Sequence, residues 1–76
     1  MDNSRCDYDL LETVARKLKQ LREAKGLSQR IVYIDTDFNI GKIEVGKTNI
    51  TISTLSRLCK YYGTSLKEFF HLRFPH

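Results

Sequence analysis

The stretch from Gly26 to Gly46, GLSQRIVYIDTDFNIGKIEVG, constrains this chain more than any other. Glycine lacks a Cβ, so Gly26 can take the left-handed conformation that ends a helix. Two residues later Ser28 can cap a new helix by accepting a hydrogen bond from an N–H of its first turn. Ile31, Val32 and Ile34 are the candidates for the buried side of that helix, and the polar pair Asp35-Thr36 interrupts it. Thr36 can cap a further helix, in which Ile40 and Ile43 stand three apart on one face. Gly46 closes that helix as Gly26 closed the one before. The spacing predicts two short helices joined by a tight turn.

The flanks are helical as well. Leu10, Leu11, Val14, Leu18 and Leu21 recur at intervals of three and four, the stripe of an amphipathic helix beginning near Asp7. Asp7, Asp9 and Glu12 fall near its start and Lys25 at its end, as the helix dipole favours. Arg16, Lys17 and Lys19 lie off the stripe, where two roles are open: a solvated face, or phosphate contacts at its edge. Downstream, Thr51 caps a helix whose inner face is Ile52, Leu55, Leu58, Cys59 and Tyr62, with Gly63 closing it. Ser65-Leu66-Lys67-Glu68 is a capping box opening a last helix with apolar Leu66, Phe69 and Phe70, and Pro75 ends any further one. The expected architecture is all-α: a flexible leader at 1–6, then one five-helix domain over 7–76.

Two short helices joined by a tight turn make a helix-turn-helix, and its second helix is the natural reading head. Two fragments of the chain, Leu21-Arg22-Glu23-Ala24-Lys25-Gly26-Leu27-Ser28-Gln29 and Ile40-Gly41-Lys42-Ile43-Glu44-Val45-Gly46-Lys47-Thr48-Asn49, point to a family. In that order they resemble the phage-repressor-like (Xre/Cro-type) helix-turn-helix family, over roughly residues 14 to 70. The resemblance implies the compact five-helix bundle of the lambda-repressor-like DNA-binding domain. It also implies a bacterial or phage transcriptional regulator that binds double-stranded DNA as a homodimer on a palindromic operator. There is one departure: Ser28 to Glu44 is roughly three residues shorter than the family's usual spacing, and the loss falls in the turn.

The resemblance also suggests site residues. It pairs Arg22 with Glu44 in a partly buried ion pair, a bidentate fork tying the first helix to the third. It directs Gln29, at the start of the first motif helix, towards DNA phosphate, with the cation Arg30 beside it. It makes Lys47, Thr48 and Asn49 a backbone-contacting loop, whose chemistry suits phosphate positioning rather than sequence reading. The expected recognition helix spans 36–44, with Thr36, Asp37, Asn39 and Lys42 on outward or flanking sides. Asn39 suits adenine, and Lys42 suits guanine or a phosphate. Asp37 either accepts from cytosine N4 or supports the helix dipole. Phe38 has two open placements: against a thymine methyl, or turned inward to replace an apolar residue lost with the shortened turn.

Composition bounds the remaining function classes. The chain has 76 residues and a formal net charge of +4, near the lower size limit for a domain without a staple. The charge is uneven: residues 1–12 carry four carboxylates and one arginine, and residues 13–76 carry twelve Lys or Arg and five Asp or Glu. A basic body suits a polyanion. No apolar run reaches the length of a membrane span, and the acidic, polar start does not read as a signal peptide. The expected location is the cytoplasm, where Cys6 and Cys59 stay reduced. Neither the cysteines nor His71 and His76 show metal-ligand spacing, so no metal and no cofactor are expected. Converging acid, base and nucleophile groups are also missing, so the chain is not expected to be an enzyme. The other class left open is a protein-interaction or antitoxin-like module on the same scaffold, with weak DNA binding. For a dimer, Tyr61, Phe69, Phe70, Leu72 and Phe74 offer apolar surface, unless they only finish the core.

Overall fold

In a computed structural model describing residues 7–71, the chain folds into five helices: α1 (Tyr8–Ala24), α2 (Gln29–Thr36), α3 (Ile40–Val45), α4 (Ile52–Tyr61) and α5 (Leu66–His71). No strand occurs among the described residues, so the all-α expectation holds. Cys6, Leu72, Phe74, Pro75, His76 and the leader at 1–6 lie outside them.

Side chains fix where the helices begin. Asp7 Oδ1 accepts from Leu10 N at 3.0 Å and opens α1. Ser28 Oγ does the same for Ile31 N at 3.1 Å in α2. Thr51 Oγ1 takes Thr54 N at 3.0 Å in α4, and Ser65 Oγ takes Glu68 N at 3.1 Å in α5. Each satisfies an orphan donor of a first turn. At the end of α1, Leu27 N bonds Arg22 O at 3.1 Å and Gly26 N bonds Glu23 O at 2.9 Å. That pairing is a Schellman closure built on the left-handed Gly26.

The core forms where the stripes of α1 and α4 meet α5. Leu11, Val14, Ala15 and Leu18 from α1, Leu55, Leu58 and Cys59 from α4, and Tyr62 and Phe69 are all buried. Phe69 is fully enclosed and alone contributes roughly 2–3 kcal/mol of apolar burial; it belongs to the core rather than to any dimer surface. Two residues of the expected stripes stay outside. Leu10 is 51% exposed and Ile52 68% exposed, because each sits in the first turn of its helix, past the edge of the core. Burial also pushes the Cys59 thiol above its ordinary range, which leaves it unreactive. Lys17 is not a free cation: its Nζ donates to Phe69 O at 3.2 Å and lies over the Phe69 and Phe70 rings. It pins the end of α5 to α1.

The motif helices depart from expectation in two ways. Among the apolar residues of α2, Val32 is fully buried while Ile31 and Ile34 are 45% and 61% exposed. Gln29, Val32 and Thr36 share the inner face by their spacing of three and four, which turns the two isoleucines to solvent. The second departure is the boundary between α2 and α3. Thr36 does not cap α3; it is the last residue of α2, donating from Oγ1 to Val32 O at 2.7 Å and accepting from Phe38 N at 3.3 Å. Asp37 follows in the left-handed conformation, φ 64°. Asn39 caps α3 instead, its Oδ1 accepting from Lys42 N at 3.0 Å. The recognition helix is therefore Ile40–Val45 rather than 36–44, since asparagine caps at least as well as threonine and stands closer to the first buried residue, Ile40.

Gly46 sets how closely α3 approaches α1. Its φ is 84°, and a Cβ there would lie 3.2 Å from Glu12 Cα and 3.4 Å from Ala15 Cβ. Any side chain would push the two helices apart.

Candidate nucleic-acid interface

Arg22, at the inner end of α1, anchors the region. Its Nε and Nη2 donate to Glu44 Oε2 and Oε1 at 2.8 and 3.0 Å, and its Nη1 donates to Leu27 O at 2.7 Å. The two side chains are 10% and 4% exposed. The bond to Glu44 outweighs desolvation and raises the guanidinium above its ordinary pKa, so it stays charged. Gln29 joins the same cluster, its Nε2 donating to Glu44 Oε1 at 2.9 Å. One carboxylate thus holds α1, α2 and α3 together. Gln29 is directed onto Glu44, with its Oε1 3.3 Å from where a Gly41 Cβ would stand. The head group expected at a DNA phosphate thus gives one of its two N–H donors to Glu44, and the residue remains exposed. Tyr62 lies close by; burial, with the charge of Glu44 adding and that of Arg22 opposing, pushes its phenol up to about 12.

In front of this anchor lies an open groove. Asn39, the cap of α3, and Lys42 within it line the groove together with Thr48 and Asn49 of the following loop. Phe38, Ile43 and Ile50 are half-buried in its floor. Among these lining residues Lys42 and Asn49 are exposed and Thr48 is half-exposed, so one cation and several hydrogen-bonding groups border the apolar side chains; Lys47 and Arg30 are exposed elsewhere on the surface. Phe38 takes a middle course between its two expected placements: it packs against the core cluster while still lining the groove. Asp37 and Thr36 sit at the approach to α3, not within it. The capping bond occupies Asn39 Oδ1, which leaves its amide N–H groups free to donate outward. An amide oxygen has a second lone pair, so the expected pairing with adenine N6–H₂ and N7 stays open.

Sequence reasoning did not single out Thr51 and Thr54, which complete the far wall of the groove, nor Arg57 and Lys60, which lie beyond Phe38. The signal that could have found them is their spacing: both pairs stand three apart, at the start of α4 and along it, off its buried stripe. Among the described residues, no group of His, Cys, Asp and Glu is arranged to hold a metal ion, and no helix is long and apolar enough to cross a membrane.

Residues 39–69 match the family described as Helix-turn-helix. Over these residues the chain is similar to the phage-repressor-like helix-turn-helix family. The match begins at Asn39, the residue that caps α3, and runs through α4 into α5. Two curated relatives carry the description HTH-type transcriptional regulator PuuR, from Escherichia coli (strain K12) and Shigella flexneri. Each is 41% identical over 58 residues, covering 72% of this chain and 31% of the relative. The chain thus spans about a third of the length of these relatives. No solved structure matches it.

Proposed function

We propose that the chain is a sequence-specific, double-stranded DNA-binding transcriptional regulator. Residues 7–76 would form its single helix-turn-helix domain, acting in the cytoplasm as a homodimer on a palindromic operator. The observation that carries this reading is the groove lined by Asn39 at the cap of α3, Lys42 within it, and Thr48 and Asn49 of the next loop, with α3 tied to α1 and α2 by the Arg22–Glu44–Gln29 anchor. The description of the relatives as transcriptional regulators supports it.

α3 has six residues, so the reading surface centres on its first turn and the segment ahead of it, Asp37-Phe38-Asn39. Lys42 reaches base edges in the major groove, where lysine suits guanine O6 or N7. Lys47, Thr48, Asn49 and Arg30 supply backbone contacts that position without reading. Gln29 acts through Glu44, holding α3 at its angle. Family members of this kind bind half-sites about one helical turn apart.

Selection of binding sites from a random DNA pool tests the reading: a recovered palindrome supports both the reader and the dimer. With roughly six phosphate contacts, log K should fall against log salt with a slope near −5. Lys42→Ala should weaken operator binding by about 1–3 kcal/mol and relax one base position, whereas Lys47→Ala should weaken all sequences about equally. Wild-type binding by both variants overturns the groove assignment. A second reading, a protein-interaction or antitoxin-like module, is favoured by the exposed Ile31, Tyr33 and Ile34 on α2. It predicts little salt dependence and no preference among DNA sequences.

A further inference from the structure

A second groove opens on the other side of Phe38. It is lined by Asp35 and Thr36 from the end of α2, Phe38 from the turn, and Arg57, Lys60 and Tyr61 from α4. Phe38 borders both this groove and the one in front of α3, so the two form a continuous surface. Arg57, Lys60 and Tyr61 stand three and four residues apart and share the outer face of α4. Arg57 and Lys60 are exposed, and among the described residues neither makes an ion pair. The carboxylate in the groove, Asp35, already has a partner: its Oδ2 accepts from the Tyr61 hydroxyl.

We infer that Arg57 and Lys60 hold a backbone phosphate of the same duplex, beside the bases met by the segment ahead of α3. The inference rests on the proposed DNA-binding function and extends its footprint onto the outer face of α4. Two unpaired cations on one helix face repel each other, and an anion placed between them relieves that repulsion. A duplex presents its phosphates at fixed intervals next to the groove being read, so contact at α3 brings a phosphate to the neighbouring surface at no further cost in association entropy. The guanidinium fork of Arg57 suits two phosphate oxygens at once, while Lys60 acts as a point charge. Tyr61 contributes indirectly, by holding Asp35 against α4.

The test is the salt dependence of binding to a mixed-sequence duplex, which needs no knowledge of the operator. It compares wild type, Arg57→Gln/Lys60→Gln, Asp35→Asn and Lys47→Ala, each checked by circular dichroism and thermal midpoint for an intact fold. The double variant should flatten the slope of log K against log salt by about 1, since the one phosphate the two cations share contributes roughly 0.9 to it. Asp35→Asn keeps an acceptor for Tyr61 but removes the charge, and should tighten binding several-fold at low salt. Should the double variant and Asp35→Asn both keep the wild-type slope and affinity while Lys47→Ala flattens the slope by about 1, the α4 contact is wrong and the DNA-binding function stands. Should wild type itself show no salt-dependent affinity for DNA, the proposed function fails and the α4 contact fails with it.

Discussion

The two halves of this small bundle share one apolar core but differ in what is added to it. On the side of α1, α4 and α5, cohesion comes from a continuous apolar cluster running from Val14 and Leu18 through Leu55 and Leu58 to Phe69. On the side of α2 and α3, Val32 and Ile40 join that same apolar cluster, and direction is added by Arg22 and Gln29, whose three bonds meet at Glu44. Apolar burial is non-directional and tolerates small rotations, whereas a bidentate fork fixes both distance and angle. The half that would have to present a helix at a defined angle is the half held by directional bonds.

Truncation separates the two halves most sharply. Phe69→Ala should cost about 3–5 kcal/mol in urea unfolding, by loss of burial plus a residual cavity. Arg22→Ala or Glu44→Ala should cost about 3 kcal/mol, because the remaining charge is stranded in a buried site. The two costs differ in kind: replacing both partners, as in Arg22→Met with Glu44→Leu, should recover most of the stability yet leave DNA binding impaired, since α3 loses its angular restraint. Full binding by that double variant would show that the fork contributes cohesion and not direction.

Tyr62 sits where the two halves meet, and pH sharpens the contrast there. Its phenol is raised from 10.0 to about 12, chiefly by burial. The folded state therefore keeps its proton where the unfolded chain has lost it. The stability this contributes is fully present below pH 10 and is lost as pH rises from about 10 to 12, by roughly 2 kcal/mol. Tyr62→Phe should remove that portion of the alkaline loss in a series of urea melts across the window. An unchanged alkaline profile in the variant would assign the loss to other groups.

The same division governs what is legible in the sequence alone. α1 and α4 are legible from periodicity, because a long amphipathic helix repeats its apolar signal several times over. α2 has eight residues, and three aliphatic side chains within a few positions do not say which one faces inward. Its inner face is polar at both ends, with Gln29 and Thr36 flanking Val32. The boundary of α3 is misplaced by sequence reasoning because Thr36 and Asn39 are both good caps, and local chemistry does not rank them. Tertiary packing of Ile40 decides between them. The Arg22–Glu44 pair comes from family resemblance alone, since partners 22 residues apart leave no local trace. The bond from Gln29 to Glu44 is invisible locally for the same reason: its partner lies 15 residues away. The cations of α4 look like an ordinary solvated face, and their neighbourhood to Phe38 is set by tertiary packing, which leaves no local trace.

A smaller effect separates stability from recognition at the cap of α3. Asn39→Ala should cost about 1 kcal/mol through loss of the bond to Lys42 N. Asn39→Asp keeps the acceptor, so stability measured by urea should hold or rise slightly, aided by the helix dipole. Affinity for DNA should nevertheless fall, because a carboxylate replaces a donor at the groove. An Asp variant that binds as tightly as wild type would mean Asn39 acts on the fold alone.

The smallest expected effect lies at Asp37, the described non-glycine residue with positive φ, at 64°. A left-handed backbone costs most residues about 1–2 kcal/mol, and Asp and Asn less. Asp37→Asn should leave urea stability within about 0.5 kcal/mol, since asparagine tolerates the same conformation, while Asp37→Ala should lose up to about 1 kcal/mol. The sign of the binding change then decides the role of this carboxylate. Asparagine removes a negative charge near phosphates, so tighter, sequence-independent binding would make Asp37 a conformational residue serving the tight turn. Weaker binding confined to operators with a cytosine at one position would instead make its carboxylate an acceptor for cytosine N4. In that case the turn itself, and not only α3, reads sequence, and the half held by directional bonds extends one residue further than the helix it orients.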